Sequence, residues 1–390
     1  MWALRSAAES QGAVGEAIDE GVRGRGVEAD AAGATEAFAS YAGRVRPALD
    51  MALRAYLAGV TDSLRDLPVD VQATVEAVRD LSLRGGKRLR AVLLAAGYEA
   101  CGGEGGPDSV VMGGVSLELL QAYLLIHDDW MDADDVRRGG PSVPAMVRSH
   151  FAGRGVSTSP VDAFAILAGD FAAGLSLDAL GQVAVRPERL AAAFREMGRI
   201  QRDVVLGQMC DLQGPAGGEA PTEADVERTH ALKTGSYTVR GPLALGAHLA
   251  GATAVTLQAL EAFADPLGVA FQLRDDVLGT FGDPSSTGKP VTGDIRQGKG
   301  TGLVAALAAL TGEESSGGLL GKVFGRPDAS HEDVQAIIEQ MVSSGAKRRV
   351  EARIESLLQE AMTALDAAPL APASRQLLRG AALLLGHREK

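Results

Sequence analysis

The chain has 390 residues, 46% of them hydrophobic, and a formal net charge of −12. The acidic balance argues against nucleic acid as a partner, because binding to phosphate backbones needs basic surface. Any anionic ligand must therefore meet local basic residues. The 49 glycines and the 4% aromatic content predict close helix packing through small residues. Cys101 and Cys210 have no metal or redox spacing, so we expect buried, unpaired thiols in a reducing compartment.

The first 35 residues are rich in alanine, glycine and charge without a sustained hydrophobic face, which indicates a flexible N-terminal extension. They lack an apolar core of signal-peptide length, and no uninterrupted apolar run of about 18 residues follows. We therefore expect a cytoplasmic protein without a transmembrane segment.

From Tyr41 onward apolar residues recur at helical spacing, and strand-like alternation is scarce. Residues 36–390 are predicted to form a single all-α domain. Thr222 with Asp225, and Ser330 with Asp333, have the spacing of pairs that cap the start of a helix.

A basic segment, GGKRLR, spans Gly85 to Arg90. Its glycines let the backbone approach an anion, while Lys87 and Arg90 supply positive charge. Alone, the segment is equally typical of a basic helix start on the surface.

The most informative segment reads IHDDWMDADDVRRGG, from Ile126 to Gly140. On a helix the carboxylates of Asp128 and Asp132 share one face, with Asp129 about 100° round from them. Two carboxylates roughly 6 Å apart repel by roughly 3 kcal/mol at an effective dielectric constant of about 20. Such a cluster favours a hard cation, and magnesium binds one or two carboxylates together with substrate phosphates.

Arg137 and Arg138 follow directly and would weaken a simple cation site. A phosphorylated substrate bridged to the metal would give them an anion to bind. A solvated acidic helix end remains the alternative for this segment alone. A second segment, Phe271 to Lys299, again places an Asp pair, Asp275 and Asp276, at the end of an apolar run.

Together these segments resemble the trans-isoprenyl diphosphate synthases, most of all the bacterial geranylgeranyl diphosphate synthases, over residues 40–390. The resemblance implies an all-α bundle of the isoprenoid-synthase type around a central cavity. It also implies head-to-tail condensation of isopentenyl diphosphate with an allylic diphosphate, three magnesium ions with bound diphosphate, and a homodimer.

The resemblance assigns site residues in three groups. Residues for the diphosphate of isopentenyl diphosphate are Lys87, Arg90, Gln121 and Arg138. Residues for magnesium are Asp128, Asp129, Asp132, Asp275 and Asp276. Residues for the allylic diphosphate are Arg137, Lys233, Thr234, Gln272, Lys289 and Lys299. The catalytic set within these groups is Asp128, Asp132, Arg137, Lys233, Asp275 and Lys289.

The second motif departs from the family pattern, because Gly279 stands where a third aspartate is common. Glycine within a helix costs about 1 kcal/mol relative to alanine, so we expect Gly279 to loosen or end the helix. Asp283 would return to the same face if the helix continued. Asp294 also matches the family.

Product length is inferred from Tyr123 and Leu124, the fifth and fourth residues before the first motif. By resemblance, a large residue at the fifth position without an insertion in the motif indicates a geranylgeranyl product. Helix geometry does not establish this, because Tyr123 lies about 140° round from Asp128 while Leu124 lies nearly beneath it. Tyr123 as an ordinary core residue, and a farnesyl or longer product, stay open.

Three other functions fit less well. GDPSSTGKP has the wrong glycine spacing for a phosphate-binding P-loop and has Pro290 where a serine or threonine is needed. A class I terpene cyclase usually needs an asparagine in its second metal site, and the sequence contains none. A non-catalytic partner subunit is disfavoured, because every active-site feature except the third aspartate is present.

Overall fold

The computed structural model describes residues 6–217, 221–282, 293–312 and 318–388. These residues form an all-α bundle, as predicted. A 3₁₀ turn spans Pro107–Val110, a π-helical segment spans Ala231–Arg240, and Val136–Arg137 pairs antiparallel with Gly140–Pro141. The α-helices are α1 (Ser6–Ser63), α2 (Val69–Leu83), α3 (Leu89–Ala100), α4 (Val111–Met131), α5 (Val143–Phe151), α6 (Thr158–Gly181), α7 (Pro187–Gly217), α8 (Glu223–His230), α9 (Gly241–Ala250), α10 (Ala254–Phe281), α11 (Gly293–Arg296), α12 (Gly302–Thr311), α13 (Leu320–Val323), α14 (His331–Ser343), α15 (Ala346–Ala367) and α16 (Pro372–Gly386).

Side-chain caps fix where several helices begin. Both predicted pairs are confirmed: Thr222 accepts a hydrogen bond from the backbone N–H of Asp225, and Ser330 accepts one from Asp333. Thr301 caps α12 in the same way. Each cap satisfies one of the backbone N–H groups that the first turn of a helix leaves without a partner.

The centre of the bundle is packed through small residues, as the composition predicts. Helices α3 and α9 approach so closely that a Cβ on Gly97 would lie 2.5 Å from the carbonyl oxygen of Leu243. A Cβ on Gly246 would lie 2.0 Å from the carbonyl oxygen of Leu94. Any larger residue would push these helices apart and shift the elements that carry the acidic and basic motifs.

The predicted N-terminal extension, residues 1–35, overlaps α1, which begins at Ser6. Ala34 is fully buried, and its carbonyl oxygen lies against Gly380 of α16. The packed domain therefore begins before residue 36. Flexibility of the preceding residues stays a prediction.

Two further expectations concern the burial of the cysteines and the absence of a transmembrane segment. Cys210 is exposed on α7 and Cys101 is partly buried, so the prediction of two buried thiols is wrong for Cys210; both are free. The segments Pro107–Met131 and Thr158–Gly181 are long and apolar enough to cross a membrane, with 61% and 39% of their most apolar windows buried. They pack against one another as α4 and α6, and core helices pass the same test, so they are weak evidence for a membrane span.

Candidate active site

The first acidic motif lies where α4 ends. The helix stops at Met131, and the backbone N–H of Asp132 donates to the carbonyl oxygen of Asp128 at 2.8 Å. The side chains of Asp128 and Asp132 are 26% and 15% exposed, whereas that of Asp129 is completely buried. The motif therefore presents two accessible carboxylates and one internal carboxylate.

Arg137 neutralises this motif from the short hairpin that follows it. Its Nε donates to Asp129 Oδ1 at 2.6 Å, and its Nη2 donates to Asp134 Oδ2 at 3.0 Å and lies 3.7 Å from Asp128 Oδ2. Burial raises the pKa of Asp129 to about 6, although the Arg137 guanidinium counteracts this. The other oxygen of Asp129 has no hydrogen-bond partner among the described residues. Arg137 thus closes one side of the carboxylate cluster.

The basic segment and Arg138 form a separate positive region. Arg138 has a φ of 52°, and its guanidinium would lie 4.0 Å from a Cβ on Gly86. Arg90 lies over the ring of Tyr237 at 4.2 Å and donates to Thr238 Oγ1 at 2.8 Å. Burial lowers the pKa of Arg138, and the charges of Arg88 and Arg90 add to this against the opposing effect of Glu118. A guanidinium whose environment disfavours its charge is stabilised when an anion binds.

Arg88, by contrast, is a structural residue. It is 4% exposed and donates to Glu118 at 2.6 Å and to Asp50 at 2.9 Å. Arg88 is therefore held inside the protein, whereas Lys87 and Arg90 are the two residues of GGKRLR that stay predicted to bind diphosphate.

Lys87 lines a cavity of about 210 Å³ between α1, α3, α10 and the C-terminal end of α16. Arg46 and Arg388 line the same cavity, and burial together with these two charges lowers the pKa of Lys87. The region around Lys87 is therefore strongly positive in a chain whose net charge is −12.

Lys233 faces the first acidic motif from the π-helical segment. Its Nζ lies 2.5 Å from Asp211 Oδ2 and 3.9 Å from Asp128 Oδ1. Burial favours the neutral amine, but the two carboxylates outweigh it and raise the pKa of Lys233. π-Helical turns are rare in proteins, and those that occur are often found at functional sites. Here the π-helical segment brings a charged lysine to the carboxylates of another helix.

Sequence reasoning missed two residues of α7 at this point. Asp211 pairs with Lys233, and Gln208 Nε2 donates to Asp128 Oδ1 at 3.4 Å. The spacing of three residues in Gln208-x-x-Asp211 places both on one helix face, which is the only signal that could have found them.

The two aspartates of the second motif have different environments. Asp276 is 6% exposed, and it accepts hydrogen bonds from the backbone N–H of Gly302 at 3.0 Å and from Gln272 Nε2 at 3.1 Å. The Oε1 of Gln272 in turn accepts from Thr234 Oγ1 at 2.8 Å. A chain of hydrogen bonds therefore connects α12, α10 and the π-helical segment.

Asp275 is 39% exposed and forms an ion pair with Arg388, which lies over the ring of Phe271 at 4.1 Å. Burial lowers the pKa of Arg388 to about 10, and the nearby charge of Arg274 adds to this.

Helix α10 continues through Gly279 to Phe281, so the expectation that Gly279 ends the helix is wrong. Packing against α15 along most of the helix outweighs the low helix propensity of one glycine.

Lys299 reaches the first motif from the segment before α12. Its Nζ lies 3.0 Å from Asp132 Oδ2. Lys289, Asp283 and the side chain of Asp294 lie outside the described residues. Gln121 is half-buried on α4, two residues before Tyr123.

An apolar cavity of about 360 Å³ opens beside these charges, between α4, α7 and the π-helical segment. Its charged end carries Asp128 and Lys233. Tyr123 and Leu124 both lie in its wall. The arrangement suits a ligand with a charged head at the carboxylates and lysines and an apolar tail along α4.

The carboxylates of this site fit a magnesium ion that is bound by the protein and by a diphosphate at the same time. No three acidic, histidine or cysteine side chains among the described residues converge on one metal position. Magnesium usually takes only one or two carboxylates and completes its shell with phosphate oxygens and water. The accessible carboxylates of Asp128, Asp132 and Asp275 therefore suffice only when an anionic substrate supplies further oxygens.

Comparison with known proteins agrees with this geometry. Residues 71–341 match the polyprenyl synthetase family model. The chain is 34% identical over 290 residues to a geranylgeranyl diphosphate synthase of Mycobacterium tuberculosis, covering 74% of this chain and 77% of that protein. It is 31% identical over 295 residues to a geranylfarnesyl diphosphate synthase of Aeropyrum pernix, covering 75% and 87%.

A solved structure is similar over most of both chains. It is the geranylgeranyl pyrophosphate synthase of Corynebacterium glutamicum in complex with isoprenyl diphosphate and magnesium. The TM-score is 0.79, the sequence identity is 32%, and the alignment covers 87% of this chain and 98% of that one.

Proposed function

The chain belongs to the polyprenyl synthetase family, and we propose that it condenses isopentenyl diphosphate head-to-tail with an allylic diphosphate. The product is a short-chain all-trans prenyl diphosphate. The observation that carries this proposal is that the accessible carboxylate of Asp128 and the ammonium group of Lys233 meet in the lining of an apolar cavity. That combination suits a substrate that is anionic at one end and hydrocarbon at the other.

Magnesium, held by Asp128, Asp132 and Asp275, would supply Lewis-acid polarisation of the allylic diphosphate. Asp129 supports this site indirectly, because its buried carboxylate fixes Arg137. Asp276 holds Gln272 and the start of α12 in place.

The side chains of the protein bind and orient the two substrates. Lys233 and Lys299, together with Arg137 and Lys289, stabilise the negative charge that develops on the leaving diphosphate. Thr234 and Gln272 orient that group. The apolar wall excludes water from the carbocation-like allylic group, which would otherwise react with it.

Isopentenyl diphosphate binds Lys87, Arg90, Gln121 and Arg138, an assignment that rests on the family resemblance and, for Arg90 and Arg138, also on their proximity to one another. Its double bond attacks the allylic carbon as the bond to the diphosphate breaks. The departing diphosphate takes the proton that is lost when the new double bond forms, a step that rests on the family resemblance.

We propose geranylgeranyl diphosphate as the main product. The position of Tyr123 in the cavity wall supports this, since a growing chain that extends along α4 meets its ring. Leu124 lies in the same wall of the cavity.

A homodimer is the proposed assembly, with α6 and α7 at its interface. Large apolar side chains are exposed on both helices, namely Leu167, Leu177, Phe194, Leu206 and Met209. Exposed apolar patches commonly mark protein–protein contacts. Analytical ultracentrifugation should give a dimer for the wild type and a monomer for Phe194→Glu with Leu206→Glu. A monomeric wild type would refute it. We also propose a cytoplasmic location, which is the expectation drawn from the sequence.

The reaction is tested by release of inorganic diphosphate from isopentenyl diphosphate mixed with an allylic diphosphate. We expect release to require both substrates and magnesium, and to stop when EDTA is added. Release without isopentenyl diphosphate would indicate hydrolysis or cyclisation instead of condensation. Asp128→Ala is the inactive control, and Asp62→Ala, an exposed aspartate on α1, is the active one.

A further inference from the structure

His127 forms part of the cavity wall, and neither the motifs nor the proposed mechanism gives it a role. It follows Tyr123 by one helical turn on α4, and both side chains line the cavity. The two rings pack edge to face, with centroids 4.9 Å apart and planes at 72°. His127 Nε2 lies 2.9 Å from the carbonyl oxygen of Ile166 on α6. Since a carbonyl oxygen only accepts, this nitrogen carries the proton.

Gly169 makes this position of the ring possible. It is buried on α6 directly behind the imidazole. A Cβ at residue 169 would lie 2.3 Å from both Cδ2 and Nε2 of His127. Carbon and nitrogen atoms in van der Waals contact are about 3.5 Å apart or more, so a methyl group and the ring cannot occupy these places together.

We propose that His127 and Gly169 together set the width of the prenyl cavity and are specificity-determining residues for product length. Glycine at 169 lets the imidazole lie against α6 and leaves room for the growing chain. With a larger residue at 169, the ring loses its bond to Ile166. The larger side chain at 169 then fills the space between the imidazole and α6, and Tyr123 fills the preceding turn of α4. The imidazole ring of His127 therefore moves into the cavity. This inference rests on the proposed chain elongation.

Three variants test it: Gly169→Ala, His127→Ala and the double variant. Each is incubated with magnesium, isopentenyl diphosphate and geranyl diphosphate, and the ratio of the longest product to the next shorter one is measured. Because one methylene group in an apolar pocket changes discrimination about tenfold or more, we expect Gly169→Ala to lower this ratio by about tenfold. His127→Ala should raise it. The double variant should behave like His127→Ala, since no ring remains to be displaced.

The matched control is Gly59→Ala on α1, away from the cavity and from the proposed dimer interface, where an added Cβ meets nothing within 4 Å. It should leave the ratio unchanged. An unchanged ratio in Gly169→Ala, or a lowered ratio that persists in the double variant, would overturn the proposal. Thermal melting of each variant shows whether it is folded.

A second measurement separates this inference from the proposed function. Binding of farnesyl thiodiphosphate, an unreactive allylic analogue, should be weakened by Gly169→Ala, restored in the double variant and unaffected by Gly59→Ala. If no protein elongated a substrate but these binding changes occurred, the condensation would be wrong and the cavity assignment would stand. Equal binding by all four variants would be enough to refute the proposal that His127 and Gly169 set the width of the cavity.

Discussion

The ammonium group of Lys299 lies 3.0 Å from the carboxylate of Asp132, although the two residues are 167 positions apart in the chain. Lys233 approaches Asp128 in a similar way at 3.9 Å. Two lysines therefore balance the two accessible carboxylates of the first motif. In the proposed reaction the metal takes the carboxylates, and the lysines turn to the diphosphate.

Binding of metal and diphosphate together should therefore stabilise the protein. Magnesium with inorganic diphosphate should raise the melting temperature, because a ligand at 100 times its dissociation constant adds about 2.7 kcal/mol to stability. Each component alone should have a smaller effect, since the carboxylates and phosphates complete one metal shell together. Differential scanning fluorimetry measures this. No shift with both components, or an equal shift in Asp128→Ala, would contradict the metal assignment.

Removal of Arg137 should cost stability as well as activity. Asp129 is completely buried against its guanidinium, and loss of one partner of a buried ion pair costs about 3–5 kcal/mol. Urea denaturation of Arg137→Ala should show this loss. Arg65→Ala, which breaks an exposed pair with Asp62, should cost about 0–1 kcal/mol. Equal losses in the two variants would mean that Asp129 is not held as described.

Asp276 should be important for the fold, whereas its neighbour Asp275 is partly exposed and is paired with Arg388. Asp276→Ala leaves the N–H of Gly302 and the amide of Gln272 without their acceptor, at a cost of about 1–3 kcal/mol for a buried group. Thr234→Val removes only the last hydrogen bond of the same chain and should cost about 0.5–1.5 kcal/mol. Urea denaturation compares the two variants. A fully stable Asp276→Ala would be the contradictory result.

Shortening Tyr123 should lengthen the product. The Tyr123→Ala change removes a ring from the cavity wall, so at least one further isoprene unit should be added before the chain is released. Mass spectrometry of the dephosphorylated products measures this. Tyr56→Ala is the control, because Tyr56 packs against α6 outside the cavity and should not change product length. An unchanged product in Tyr123→Ala would remove the argument for the geranylgeranyl product.

Much of the site could be predicted from sequence because its charged residues lie in short segments. The first motif places its carboxylates on one helical turn, and periodicity alone predicts the helix that carries them. The resemblance predicts Lys233 and Thr234, but the π-helical segment that brings Lys233 to Asp128 and Thr234 to Gln272 leaves no trace in the pattern of apolar residues.

The missed features depend on contacts between distant parts of the chain. Asp211 and Gln208 are ordinary polar residues of α7 until Lys233 and Asp128 are placed beside them. The difference between Asp275 and Asp276 arises because Gly302, 26 residues after Asp276, reaches only one of them. Gly169 has a role only because His127 crosses from α4 to α6.

The most direct test of the central claim is the product formed from isopentenyl diphosphate with each of dimethylallyl, geranyl and farnesyl diphosphates in the presence of magnesium. We predict a ladder of linear prenyl alcohols after dephosphorylation, ending at twenty carbons from every primer. An end point at fifteen carbons, or one beyond twenty carbons, would keep the condensation and refute the proposed length. Cyclic hydrocarbons, or no product from any primer, would contradict the account itself.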